Sequence, residues 1–468
     1  MIRPPIVALL ALACTACGGT QSETKKETAA PLVPVIEVAP GPFSHDRAQA
    51  PPVLIRNATL LTGTYLVPRI ERGWLRLRDG LIADLGEGEA PAPEANEVVI
   101  EAQGQFVTPG IIDTHSHLGV YPQPELAAHS DGNEATNPVT AGVQAGESFW
   151  PQDPAIERAV KAGVTTIQVL PGSANLMGGR SIVLKLHPSR EVEAMRFPGV
   201  LDGLKMACGE NPKRVYGDRG SMPSTRMGSL AVMREKWIAA RRYRYKWATW
   251  KAKFGDGTHA TEAPPDRDLV LETLADVLDG KVLVHVHCYR ADEMLQQLKL
   301  AAEFGFEIRS FHHAVEAYKI RDVLKERGVA VSTWADWYGF KMEAEDAVEE
   351  NLALLAEAGV RGILHTDSPI GIQHMNQEAA KALYAGQHAG VKVDEAEAIR
   401  WLTAHPAWAL GIEDRTGTLE AGKMADVVVW DHHPFSVYAR PRKVFIDGRL
   451  RHDADAPHAP WSDFEVGR

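Results

Sequence analysis

The sequence predicts an α/β fold, a closed (β/α)8 TIM barrel carrying a small β-sandwich built from both chain ends. Three observations lead there. Between about residues 108 and 414, amphipathic helical segments alternate with apolar strands, the rhythm of a parallel sheet with crossover helices. Polar residues gather where those strands end, and a barrel keeps its chemistry at that mouth. The flanks, 53–107 and 415–452, instead alternate apolar and polar residues between turn signals such as Asp79-Gly80. Neither flank can bury a core alone, whereas together they make one sandwich.

Taken in order, the chain opens with "MIRPPIVALLALACTACGG": a basic residue, Arg3, then an apolar run from Ile6 to Ala13. That run is too short to span a bilayer and fits the apolar region of an export signal. Small residues and Cys14 and Cys17 follow, so residues 1–17 resemble a lipoprotein-type signal with Cys17 as the lipidated residue. The expected location is the periplasm or cell envelope. Residues 18–52, rich in Pro, Ala and Thr without periodicity, read as a flexible tether. Beyond them only Cys208 and Cys288 remain, which is no disulfide scaffold; an oxidising compartment allows a single bridge, but two buried free thiols are expected. A net charge of -11 excludes a protein built to ride on nucleic-acid phosphates.

The barrel begins at "VTPGIIDTHSHLG", residues 107–119, where an apolar pair runs into Asp113, His115 and His117. Side chains on a strand alternate, so these three share one face, and two imidazoles there can grip one metal ion. Later strand ends offer more donors. "VLVHVHCYR" carries His285 and His287, "RSFHHAVE" carries His312 and His313, and "GILHTDSP" ends in Asp367. Recurrence at successive strand ends is what gives the signal its weight. No GxGxxG follows the first strand of this region, against a dinucleotide site.

At this point "PGIIDTHSHLG", "HTDSP", "NQEAAKALYAG" and "GTLEAGKMADVVVWD" resemble the amidohydrolase superfamily, in its imidazolonepropionase-like and metal-dependent dipeptidase-like branch. The resemblance covers roughly residues 53 to 450. It implies one or two divalent ions, zinc first, held by His115, His117, His285, His313 and Asp367. His313 is taken over His312 because "HAVE" fits the family pattern; His285 is taken over His287, both being inward. "GLKMACGEN" resembles the segment of two-metal members whose lysine is carboxylated and bridges the ions, making Lys205 a ligand, with Glu210 a second bridging candidate. Asp367 then moves a proton to the departing nitrogen after an activated water attacks a carbonyl, and His285 or His313 helps hold the oxyanion.

For the substrate the expectation is a small molecule or short peptide. Arg214 and Arg226, after the fourth strand, suit a carboxylate; His287 and Tyr338 are further contacts. "REKWIAARRYRYKWATWKAKF" is a basic, aromatic helix that could be a lid, a lipid-facing surface or a helix packed on the barrel. Cys288, three residues after His285, departs from the His-x-x-Glu of imidazolonepropionases and puts imidazolone ring opening in doubt. The leading expectation is therefore an exported metal-dependent amidohydrolase cleaving an amide-like C–N bond, with a homo-oligomer open. The competing readings are a one-metal deaminase or cyclic-amide hydrolase, and a silent binding protein on the same fold.

Overall fold

The computed structural model describes residues 50–456. The expected signal, 1–17, and nearly all of the tether, 18–52, lie outside the described residues.

From the N-terminal flank come β1 (Val53–Leu61), β2 (Arg69–Arg78), β3 (Leu81–Glu87), β4 (Val98–Glu101) and β5 (Phe106–Pro109). The barrel strands are β6 (Ile111–Ser116), β7 (Val164–Val169), β8 (Met177–Lys185), β9 (Gly203–Ala207), β10 (Leu283–Cys288), β11 (Ile308–His313), β12 (Ala330–Thr333) and β13 (Gly362–Leu364). The C-terminal flank adds β14 (Val427–Trp430), β15 (Pro441–Ile446) and β16 (Arg449–Asp453). The two flanks make one eight-stranded sheet, β16-β15-β14-β5-β1-β2-β3 with β4 on β1; β14 and β5 join the chain ends antiparallel, Val427 opposite Pro109. Its own core holds Ile55, Leu60, Leu75, Val107, Val427 and Phe445. The pairing that alternation implied therefore runs through as a single hydrogen-bonded sheet.

The barrel sheet runs in chain order from β6 to β13. Its first and last strands meet through side chain and backbone beyond β13. The Thr366 hydroxyl donates to Asp113 at 2.7 Å, and Asp367 N–H donates to the His115 carbonyl at 3.1 Å. Gly110, just before β6, leaves room for Thr165, which a Cβ would meet at 2.2 Å. That explains the Pro-Gly ahead of the histidines.

The helices on the barrel are α1 (Pro154–Lys161), α2 (Glu210–Gly217), α3 (Arg226–Phe254), α4 (Leu269–Leu278), α5 (Ala291–Phe304), α6 (Arg321–Arg327), α7 (Asn351–Glu357), α8 (Met375–His388) and α9 (Glu395–Leu402). Their ends follow from sequence. Asp153, Thr225, Asp268 and Asp394 each accept a backbone N–H at the first turn, while α5 and α6 stop at left-handed Gly305 and Gly328. The basic, aromatic helix is α3. Trp237 is fully buried and stacks on Phe306 with centroids 4.3 Å apart, so this helix is packed on the barrel wall.

Two expectations change. The sheet is not wholly parallel, because β8 runs antiparallel to both β7 and β9. Only residues 170–176 separate β7 from β8, and a parallel return needs a crossover of a dozen residues or more. The thiols are not free either: Cys208 and Cys288 are joined in a disulfide, their Cα atoms 5.1 Å apart. Adjacent parallel strands, β9 and β10, bring both residues to the same height at the mouth.

Below the barrel, Lys185 on β8 is buried between Asp426 (2.9 Å) and Asp447, and His187 donates to Asp447 at 2.9 Å. This charged group fastens the barrel to the flanking sheet.

Candidate metal centre

β6 delivers His115 and His117 to the mouth, with its register slipping between Asp113 and Ser116. His115 N–H donates to the Asp113 carboxylate at 3.0 Å, so the aspartate that closes the barrel also fixes this turn. His117 Nδ1 donates to the Leu170 carbonyl at 2.8 Å, and its Nε2 lies 3.2 Å from Asp367 Oδ1. His115 Nε2 stands 3.7 Å from the same oxygen, and His313 Nε2 4.0 Å from Asp367 Oδ2. Two overlapping groups have donor atoms within 4.8 Å of one another: His115, His117 and Asp367; and His115, His313 and His365. His313 and Asp367 hold φ of 69° and 55°, left-handed values that non-glycine residues adopt at a cost.

The buried tier beneath is also imidazole. His312 Nδ1 lies 2.9 Å from His115 Nδ1, and its Nε2 lies 3.0 Å from His285 Nδ1. Lys205 Nζ points at His115 Nε2 (3.4 Å) and donates to the Pro171 carbonyl (3.1 Å). A lysine can only donate while protonated, so His115 Nε2 accepts and its Nδ1 carries the proton toward His312. His312 in turn donates from Nε2 to His285. The row fixes the tautomer that puts the His115 lone pair on Nε2, where Lys205 now donates and an ion could bind instead.

Burial dominates the electrostatics. It pushes His115, His287, His312 and His313 well below the ordinary imidazole range, and His285 and His365 to about 3, with neighbouring basic groups, Lys205 among them, adding to the effect. These rings are therefore neutral, as ligands must be. Burial also lowers the Lys205 amine to about 8. For Asp367 burial acts upward, but the hydrogen bond and charge of His117 outweigh it and hold the carboxyl below its usual value. The donor chemistry fits a divalent ion in a second respect. Both ring nitrogens of His287, Nδ1 of His313, Nδ1 of His365 and Nε2 of His285 are buried without a hydrogen-bond partner. Unpartnered buried ring nitrogens at such density are expensive unless something binds them.

The structure thus brings together His115, His117, Lys205, His313 and Asp367. It does not bring His285 with them. Paired in register with Lys205, His285 packs against His312 one layer down, whereas His287, opposite Ala207 and His312, stands nearer the mouth with its ring 4.4 Å from that of His313. Glu210 opens α2 and lies outside the donor groups. Arg226 is committed to Glu293 (2.8 Å) and Glu343 (2.6 Å), and the Tyr338 hydroxyl to Glu349 (3.0 Å), so neither is free for substrate. Arg214, on α2, remains exposed. His365 was missed, although it lies two residues before Asp367 and the period of a strand could have found it. Also missed were Tyr289 and Trp334, whose rings flank His313 at 5.2 and 4.4 Å.

Fold, site and relatives together define a hydrolase acting on carbon–nitrogen bonds. Residues 106–451 match the amidohydrolase family, and the chain belongs to it. Amidohydrolase tasK of Hapsidospora irregularis is 34% identical over 459 residues, covering 90% of this chain and 46% of the relative; this chain spans about half its length. An imidazolonepropionase of Mesorhizobium japonicum is 26% identical, over 80% of this chain and 90% of its own. Among solved structures, an amidohydrolase from Thermotoga maritima MSB8 superposes with a TM-score of 0.76 at 38% identity, over 85% of this chain and 99% of that one.

Proposed function

We propose that the protein is an exported metal-dependent amide hydrolase acting on a short peptide or amino-acid derivative. The observation that carries this reading is the convergence of His115, His117, His313 and Asp367 at the barrel mouth, ringed by imidazole nitrogens without partners. In this reading His115, His117 and Asp367 would hold one zinc-type ion, and His313 with a neighbouring imidazole, His365 or His287, would hold a second. Lys205 Nζ reaches His115 Nε2 (3.4 Å) and has no carboxylate at ion-pair distance among the described residues; carboxylated, it would be a further anionic ligand. A bound ion supplies Lewis acidity and brings a water's ionisation toward neutral pH. Asp367, partly accessible and hydrogen-bonded by His117, accepts the water's proton and returns it to the departing amine. Trp334 and Tyr289 wall His313 and keep bulk water from that side.

The disulfide supports work in an oxidising compartment, in keeping with the N-terminal signal and lipidation at Cys17. The test combines metal analysis with a hydrolysis screen of dipeptides, N-acyl amino acids and cyclic ureides. Two ions per chain and turnover abolished by chelation and restored by zinc are expected. Metal-loaded protein that hydrolyses no member of the screen overturns the reading. The similarity to an imidazolonepropionase favours a second reading, a one-metal cyclic-amide hydrolase. It predicts one ion per chain, an unmodified Lys205 and activity confined to the ureides.

A further inference from the structure

α3 is 29 residues long, about 43 Å at the rise of an α-helix, and only its first part lies on the barrel. Met233, Trp237, Ala240 and Tyr243 form its buried stripe; from 244 to 254 no residue is buried. Along that projecting part Trp247, Trp250 and Phe254 continue the inward stripe, with successive ring centroids 6.1 and 5.5 Å apart. Trp250 Nε1 donates to the Glu262 carbonyl at 3.2 Å, so the aromatic face turns onto the returning chain. The opposite face is left to solvent. It carries Ile238 (41% exposed), Arg241, Arg242, Tyr245 (72% exposed) and Lys246, whose three- and four-residue spacing makes them one patch.

Between 234 and 254 the helix has eight basic residues and one acid, Glu235, in a chain whose net charge is -11. The acids around it are spent at its edges: Glu303 on Arg234 (3.0 Å), Asp279 on Arg244 (2.5 Å) and Glu262 on Lys253. Arg241 has the Phe304 ring at 5.9 Å and no acid, and Arg242 and Lys246 have no partner among the described residues. Cations this close repel one another, and an anionic surface relieves that repulsion. The chemistry favours phospholipid over protein. Protein interfaces are depleted of charge at an apolar core, whereas here two separate apolar side chains stand among cations. Arg and Lys lay their stems along such residues and send their heads to phosphate, and a Tyr ring suits the same headgroup layer. An acidic protein is repelled as a whole, so a local basic patch also sets how it lands.

We propose that this outer face of α3 docks on an anionic phospholipid surface, with Ile238 and Tyr245 at headgroup level and Arg241, Arg242 and Lys246 on the phosphates. The inference is independent of the amide-hydrolase reading and of lipidation at Cys17.

The experiment sediments the full chain with vesicles of phosphatidylglycerol and phosphatidylcholine, and with vesicles of phosphatidylcholine alone. An N-terminal anchor inserts into both alike, so the difference between them reads the helix. Each cation near an anionic surface is worth about fivefold in partition. The patch should therefore give the wild type a roughly hundredfold preference for the anionic vesicles. That preference should shrink as salt rises from about 0.1 to 1 M. Arg241→Gln combined with Arg242→Gln and Lys246→Gln should erase it with the thermal midpoint unchanged, and Arg241→Lys with Arg242→Lys should keep it. Equal wild-type partition into both compositions overturns the proposal, as does a preference that survives the triple glutamine variant. Polyglutamate that binds the wild type as tightly as the anionic vesicles do would also overturn it, assigning the face to an acidic protein instead.

Discussion

At Asp367 the backbone is left-handed, its N–H is tied to the first barrel strand, and its carboxylate faces His115, His117 and His313. Asp367→Asn keeps the shape and removes the proton acceptor. Turnover should fall about 10²- to 10⁴-fold, measured against metal content to separate chemistry from binding. His312 makes the opposite prediction: it touches no substrate but fixes the His115 tautomer. His312→Leu should weaken metal affinity about 10- to 100-fold in a competition titration against a chelator. Unchanged affinity would mean that the imidazole row is packing. At this scale the sequence was legible wherever a donor ended an apolar strand, as at His115, His117 and Asp367. It was not legible where depth decides. His285 and His287 have the same parity on one strand, and only the height of β10 beside β9 shows which faces the mouth. Nor can a string of residues show that Arg226 finds Glu293 and Glu343 across 67 and 117 positions.

Among elements, β9 and β10 carry Lys205 and His287 side by side, and the Cys208–Cys288 bridge clamps their ends. It closes a loop with a sequence separation of 80, for which chain-entropy arguments give about 2–5 kcal/mol. Reduction, or Cys208→Ala with Cys288→Ala, should lower the thermal midpoint and loosen metal binding together. A lowered midpoint with intact metal affinity would confine the bridge to stability. Helix and strand alternation were readable because several helices carry an acid or hydroxyl at the first turn or a glycine at the last, as α1, α4, α5, α6 and α9 do. The hairpin of β7 and β8 was not, since glycines at 178 and 179 blur the strand signal and direction is set by the length of the connecting loop.

For the whole molecule, the buried Lys185, Asp426, Asp447 and His187 join the barrel to the sheet made from both flanks. Burial acts to raise Asp447, but the His187 hydrogen bond and the Lys185 charge prevail and hold its carboxyl below the usual range. A carboxyl depressed on folding contributes stability that is fully present above its unfolded value, about 3.9, and is lost as pH falls toward the folded one. Denaturant melts from pH 6 to about 2 should show that acid limb, starting near the unfolded value. Asp447→Asn should flatten it while costing about 3–5 kcal/mol at neutral pH, because Lys185 loses an acid partner in the interior. An unchanged slope would assign acid sensitivity elsewhere.

The strand pairing β5–β14 and the contacts of Asp113 and His115 with Thr366 and Asp367 each tie an early segment to a late one. Neither seam can form while the ribosome still holds the last quarter of the polypeptide. Until then the apolar strands of both sheets remain without their final neighbours. Completion of both seams then shuts the metal-binding mouth and the flanking sheet in a single act.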